Sequence, residues 1–330
     1  MCTAITLQFG ETENFFGRTM DFSYDIEPKL YVVPKNYAWQ NALTGCKFHN
    51  TYSFIGIGQE KEDMLAFFDG VNEQGFAAAA LYFAGFAKYS EQADLKRDAV
   101  SSLDFLHYIL GKCGSLKDLK RALDNVSIIG VPDPVTQTVA PLHWIATDRT
   151  GESVVIEQTE DGLRLFKNPV GVLANSPDFQ WHMTNLRNYM NASPIQTKET
   201  SWGNVKLKPF GQAGGTLPLP GGYTSPERFV KTAYQKTHIQ PPKNQIEGVN
   251  ACFHIMEGVS VPKGVIITDR NTSDYTKYTA FVNTNTCQYF FKTYDNPQIG
   301  TATLRDNDRL LKQPHCIGEL KRPVVFHEIK

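Results

Sequence analysis

The chain has 330 residues, of which 33 are basic and 34 acidic, with 41% hydrophobic and 20% charged residues. That length and apolar content suffice for a substantial core and argue against disorder. The near-neutral charge, without a run of one sign, gives nucleic acid or an anionic membrane no footing, and the longest apolar stretch, Gly75 to Ala87, is too short to cross a bilayer and reads as a buried strand. The N-terminus lacks the basic and apolar regions of a secretory leader, so the expected compartment is the cytoplasm. The sequons at Asn125, Asn191 and Asn271 are then incidental.

In chain order, the first predicted element is a hairpin. CTAITLQF alternates, with Ile5, Leu7 and Phe9 on one face; GETEN supplies turn chemistry; FFGRTMDF returns and brings Arg18 and Asp21 back to the level of Cys2. The pattern recurs at DGVNEQGFAAAALYF, turning at Asn72 to Gly75, and at HWIATDRTGESVVIE, turning at Asp148 to Gly151. Antiparallel sheet is therefore expected to dominate the first half. Amphipathic helices are predicted over Val100 to Gly111 and Leu116 to Leu123, lying on a sheet.

Two further helix starts share one device: Ser176 and Ser225 as N-caps, with Pro177 and Pro226 at the first helical position. Arg228 then falls in a helix first turn, where the macrodipole disfavours a cation. Either an anionic partner or substrate, or a surface salt bridge, would compensate. Gly211 to Pro226 is the strongest loop signal and lacks the ending of a phosphate loop. No repeat or linker divides the chain, so residues 1–330 are read as one domain. The stretch beyond Asp295 reads as a peripheral segment, at the surface or at a subunit contact.

Six cysteines are scattered without a C-x-x-C pair, which argues against a zinc site or a disulfide framework. The spacings of Cys252-Phe253-His254 and His315-Cys316 fit no common metal motif, so no metal and no cofactor are expected. Cys2 differs by position. If Met1 is removed, Cys2 gains an α-amine with a pKa of about 7.7–8.0 beside a thiol near about 8.5, so one residue holds both base and nucleophile. The plain alternative is an ordinary strand residue. Arg18 and Asp21 are candidates to support the thiolate and orient the amine. Their opposite parity on a strand calls for a bulge, placed at Gly17.

The motifs MCT, GRTMDF, FDGVNEQG, LHWIATDRTG, ANSPDF and YTSPERF, in this order, resemble the choloylglycine hydrolase family of N-terminal-nucleophile hydrolases. Within it the chain looks most similar to penicillin V acylases of Gram-positive bacteria, with bile salt hydrolases as close relatives. The resemblance implies an α+β fold, a four-layer αββα sandwich of two mainly antiparallel sheets, assembled as a homotetramer. It implies hydrolysis of a small linear amide through a thioester on Cys2, whose α-amine is the base. Arg18 and Asp21 match the residues supporting thiolate and amine. Asn175 and the backbone N–H of Tyr82 match the oxyanion donors, and Arg228 matches the cation at the reacting centre.

Tyrosine at position 82 resembles the penicillin V acylases, where bile salt hydrolases usually carry asparagine; its ring suits a flat phenoxyacetyl group. The expected activity is thus penicillin V acylase, with bile salt hydrolase or acyl-homoserine lactone acylase as alternatives on the same mechanism. The acyl group is expected against the loops near residues 55–65 and 130–140. Other readings are a glutamine amidotransferase, which usually continues Cys-Gly, and a non-catalytic binding protein.

Overall fold

The computed structural model describes residues 1–330 except 11, 12, 42, 44–46, 63, 91, 93, 95, 308–310 and 330. Cys46 and part of the GETEN turn therefore lie outside the described residues. β1 (Cys2–Phe9) and β2 (Glu13–Phe22) form the expected hairpin, in unbroken register from Cys2 opposite Met20 to Phe9 opposite Glu13. There follow β3 (Lys29–Val33), β4 (Ala38–Gln40), β5 (Lys47–His49), β6 (Phe54–Lys61), β7 (Met64–Asn72), β8 (Ala77–Tyr82) and β9 (Asp98–Ser101). The β7–β8 turn is held by Asn72, whose Oδ1 accepts from the N–H groups of Gln74 and Phe76, and by Gly75 at φ 80°.

Next come α1 (Phe105–Lys112), α2 (Leu116–Asp124), β10 (Val126–Ile129), β11 (Leu142–Thr147), β12 (Ser153–Thr159), β13 (Gly162–Lys167), β14 (Val172–Leu173) and α3 (Phe179–Asn185). The last part holds β15 (Thr200–Trp202), β16 (Val205–Leu207), α4 (Ser225–His238), α5 (Gln245–Glu257), β17 (Tyr275–Asn283), β18 (Gln288–Thr293), β19 (Asn296–Thr303), α6 (Leu304–Asn307) and β20 (His315–Glu319).

Two large antiparallel sheets result, in the orders β14-β1-β2-β17-β18-β19 and β13-β12-β11-β8-β7-β6-β3-β20. They face each other: Val71, Ala77, Ala79 and Ile145 of the larger sheet share a core with Phe16, Ala280 and Val282 of the smaller. α1 and α2 cover the outer face of the larger sheet, where Phe105, Leu106, Ile109 and Leu110 pack on Phe54, Trp144 and Phe76. α4 and α5 cover the smaller one, with Phe253 edge-on to Phe281. This is the expected αββα sandwich. Burying each such Leu or Phe contributes about 1.5–3 kcal/mol, and the Ala77–Ala79 run, with no exposed side chain, lets both neighbouring layers approach β8 closely.

Several local expectations are corrected. No bulge occurs at Gly17, which pairs regularly with Ile5 and Phe281; the register shift lies on β17, between Thr276 and Tyr278. Glycine is needed at 17 for space, because a Cβ there would sit 2.2 Å from the Ala280 carbonyl oxygen and 2.3 Å from the Phe281 ring. Val100 and Ser101 belong to β9, which pairs with β10 in parallel, so the helix starts later than its apolar periodicity suggests. Asp178, extended and accepting from Trp181 N–H, caps α3 in place of Ser176, which lies outside the helix. Thr224 replaces Ser225 as the cap of α4. The stretch beyond Asp295 is not merely peripheral, since β19 and β20 form edge strands of both sheets.

Candidate active site

The hairpin parity that demanded a bulge is respected, and the two candidate residues serve opposite faces of one strand. Cys2, Arg18 and Met20 share the face toward the larger sheet, while Thr3, Thr19 and Asp21 face the helices. The buried Cys2 Sγ lies 2.6 Å from Arg18 Nη2. Arg18 is fixed by three backbone acceptors: Nη1 donates to the carbonyls of Phe68 (3.0 Å) and Ala80 (2.5 Å), and Nε to that of Thr19 (3.1 Å). Burial works against its charge, but the groups around it, Cys2 foremost and with it the Asp69 and Asp21 carboxylates, raise its pKa overall.

On the helix side, Asp21 accepts from Thr276 Oγ1 (2.6 Å) and Thr19 Oγ1 (3.2 Å) and lies 3.9 Å from Arg228 Nη1, with both side chains fully buried. Burial pushes the Asp21 carboxyl up, and Arg228 opposes it. Arg228 also donates to the Cys2 carbonyl (2.5 Å), to Thr3 Oγ1, to the Tyr223 carbonyl (3.0 Å) and to Asn175 Oδ1 (2.7 Å). Its uncomfortable position in the first turn of α4 is therefore answered by an anion and four oxygens.

Asn175 joins the two sides. Its Oδ1 accepts from Cys2 N–H (2.7 Å), and its Nδ2 donates to the Tyr82 carbonyl (2.7 Å). Its backbone N–H donates to Ser225 Oγ (2.8 Å), and its carbonyl meets His182 Nε2 at 2.8 Å. Burial lowers the His182 pKa to about 4, so the ring is neutral and donates through Nε2. Phe83 N–H turns to Pro141 beside β11, so by strand alternation the N–H and C=O of Tyr82 point away from β11, where pairing with β7 has already ended at Ala79. All six residues expected from the sequence thus converge on one place. The Met1 amine donates to the Asp21 carbonyl (2.7 Å) and lies 3.3 Å from Asp274 Oδ2.

Cys2 and Arg18 form the floor of a cleft of ≈ 880 Å³, counting the solvent at its mouth. Its walls are apolar and include Phe22, Met64, Leu106, Leu142 and Trp144, with Tyr82 beside Phe22 at 6.4 Å between ring centroids. Gln59, Lys61, Pro134 and Val135 come from the two regions expected to seat an acyl group. Phe22, Leu106 and Trp144 were missed, since an apolar strand or helix residue looks the same whether it lines a cleft or a core. Among the described residues no group of three or more His, Cys, Asp or Glu could hold a metal ion, and no helix is long and apolar enough to cross a membrane. Cys252 is buried in α5, whereas His254 is exposed and pairs with Glu257.

The fold and the site define a hydrolase of linear amide C–N bonds. The family model described as linear amide C–N hydrolases, choloylglycine hydrolase family, matches residues 2–318, and the chain belongs to this family. A bile salt hydrolase/transferase from Clostridium perfringens is 33% identical over 305 residues, 92% of each chain. A solved structure of a C2A mutant of conjugated bile acid hydrolase from Clostridium perfringens superimposes with a TM-score of 0.91 at 29% identity, covering 100% of both chains. A penicillin V acylase from Pectobacterium atrosepticum is 25% identical over 309 residues, 88% of this chain and 76% of that one. The comparisons therefore favour the alternative reading of the substrate over the first.

Proposed function

We propose that this enzyme hydrolyses conjugated bile acids through a thioester on Cys2, after removal of Met1. The observation that carries the reading is the Cys2 sulfur against the Arg18 guanidinium on the floor of an apolar cleft, supported by the identity to the bile salt hydrolase/transferase. Arg18 favours the thiolate. The sulfur attacks the amide carbonyl carbon, and the Cys2 α-amine carries the thiol proton to the departing nitrogen as the C–N bond breaks. Water then cleaves the thioester and returns a proton to the sulfur. The Tyr82 N–H and the second Nδ2–H of Asn175 stabilise the oxyanion, and Arg228 and Asp21 hold Asn175 and the terminal amine in place.

Penicillin V acylase is the second reading, favoured by the Tyr82 ring in the cleft wall. The ratio of kcat/KM for a glycine-conjugated bile salt and for penicillin V, on protein shown by mass to lack Met1, separates the two. Preference for the bile salt supports the first reading, and preference for penicillin V replaces it with the second. Cys2→Ala should abolish both activities with the fold intact; turnover by that variant would sink the mechanism.

Residues 1–330 act as one domain in this reading, supported by both sheets taking strands from each end of the chain. Homotetramer assembly is supported by the β15–β16 hairpin and the loop after it, which leave Trp202, Val205, Phe210 and Leu217 exposed.

A further inference from the structure

Between the two sheets, behind the Cys2 sulfur, lies a carboxylate that the mechanism above does not use. Asp69 of β7 is 3% exposed. Its Oδ2 accepts from the Tyr278 hydroxyl at 2.7 Å and its Oδ1 from the Tyr289 hydroxyl at 2.8 Å. Both phenols are buried and belong to the opposing sheet, and Tyr278 stands directly across from Met20 in the β2–β17 ladder. A carboxylate in such a place is strongly unfavourable without a cation nearby.

The nearby cation is Arg18. Its Nη1 donates to Phe68 and Ala80, the residues next to Asp69 and Ala79, which are themselves partners across β7 and β8. Its Nη2 meets the Cys2 sulfur. Burial pushes the Asp69 carboxyl up, while Arg18 and the two phenols oppose it. In the proposed cycle Cys2 alternates between a thiolate and a neutral thioester, so Arg18 loses its anion on one side at every turnover. Asp69 is unchanged throughout.

We propose that Asp69 is a positioning residue: clamped by Tyr278 and Tyr289, it keeps the Arg18 guanidinium at the Cys2 sulfur in both states. The proposal rests on the reading of Cys2 as nucleophile. Its test is the rate of Cys2 alkylation by iodoacetamide against pH, with the modified peptide identified by mass, in Met1-free wild type and Asp69→Asn. The other groups facing the sulfur and guanidinium are the Cys2 α-amine, Asp21 on β2, Arg228 on α4, Tyr278 on β17, Tyr289 on β18 and Asp274; all are the same in both proteins.

A loosened guanidinium supports the thiolate less well. The midpoint of the alkylation profile should therefore rise by about one unit, alkylation near neutral pH should slow about tenfold, and kcat/KM should fall with it and partly recover at higher pH. A profile that superimposes on the wild type overturns the proposal. So does a shift to lower pH, the result of simply deleting a nearby negative charge. If Asp69→Asn does not fold, Tyr278→Phe and Tyr289→Phe retain the carboxylate without its clamp and should shift the profile upward by less; no shift in either overturns it. Wild-type alkylation at another thiol in place of Cys2 would instead defeat the nucleophile reading itself, and this proposal with it.

Discussion

Arg228 Nη2 and the Cys2 N–H both donate to Asn175 Oδ1, each at 2.7 Å. Two donors on that oxygen fix the orientation of the amide, because a flip would set its NH₂ against the guanidinium. The Nδ2 is thereby turned toward the Tyr82 carbonyl, so a cation in one helix dictates which end of the amide is available as the proposed oxyanion donor.

Arg228→Gln should therefore reduce kcat by about 10²–10³, the usual cost of losing an oriented oxyanion donor. It also leaves Asp21 buried without its cation, at a cost of about 3–5 kcal/mol of stability. Steady-state kinetics and urea unfolding read the two effects separately. Unchanged kcat in a folded variant would remove Arg228 from the proposed machinery.

Tyr82 contributes to the proposed chemistry through its backbone and to the cleft through its ring. Tyr82→Asn should consequently retain hydrolysis while changing the ratio of bile salt to penicillin V turnover by about 10–200-fold, the range open to an apolar contact in a pocket. Loss of both activities together would mean that the side chain itself orders the oxyanion site.

Acid sensitivity should trace to two buried histidines. Burial lowers the pKa of His107 to about 3 and of His182 to about 4, against about 6.5 in the unfolded chain. Between those values the unfolded chain binds more protons than the folded one, so the stability contribution is complete above about pH 6.5 and is lost as pH falls toward 4 and 3. The loss is on the order of 5 kcal/mol for His107 and 3 kcal/mol for His182. His107 stacks on Trp39 at 4.3 Å between ring centroids, and its Nε2 has no hydrogen-bond partner among the described residues. His107→Phe should thus be nearly neutral at pH 7 and should flatten the acid limb of a stability-versus-pH curve measured by urea unfolding.

Gly17→Ala should destabilise the protein by about 1–3 kcal/mol through overpacking against Phe281 and the Ala280 carbonyl. Because Arg18 is the next residue, kcat/KM should fall as well. Thermal unfolding and kinetics on the same sample check this, and a variant equal to wild type in both would contradict the close β2–β17 contact.

The hairpin and the return of Arg18 and Asp21 to the level of Cys2 were legible because a two-residue period and one turn determine them. Asn175 and Arg228 were legible only through resemblance, since they reach Cys2 from 173 and 226 residues away and no local periodicity encodes such a meeting. The misplaced bulge came from assuming that both charged residues must face the sulfur, whereas the terminus has two sides and uses both. The helix caps were misread because each start offers more than one capping side chain: Asp178 lies two residues after Ser176, and Thr224 with Glu227 closes a capping box one residue before Ser225. Asp69 lies within the FDGVNEQG motif, yet nothing local says that a strand aspartate will meet two tyrosines from the opposite sheet.

β20 pairs with β3, whose Leu30 to Val33 are all buried. Removing residues 315–319 would uncover a row of unsatisfied backbone donors and acceptors on an apolar strand, an invitation for strand addition by another molecule. The covering strand is itself largely exposed and carries His315 and Glu319, a polar finish unsuited to recruiting a further partner. The last described strand thus covers an apolar edge of the larger sheet, a protective role apart from the one proposed for Cys2 on the first.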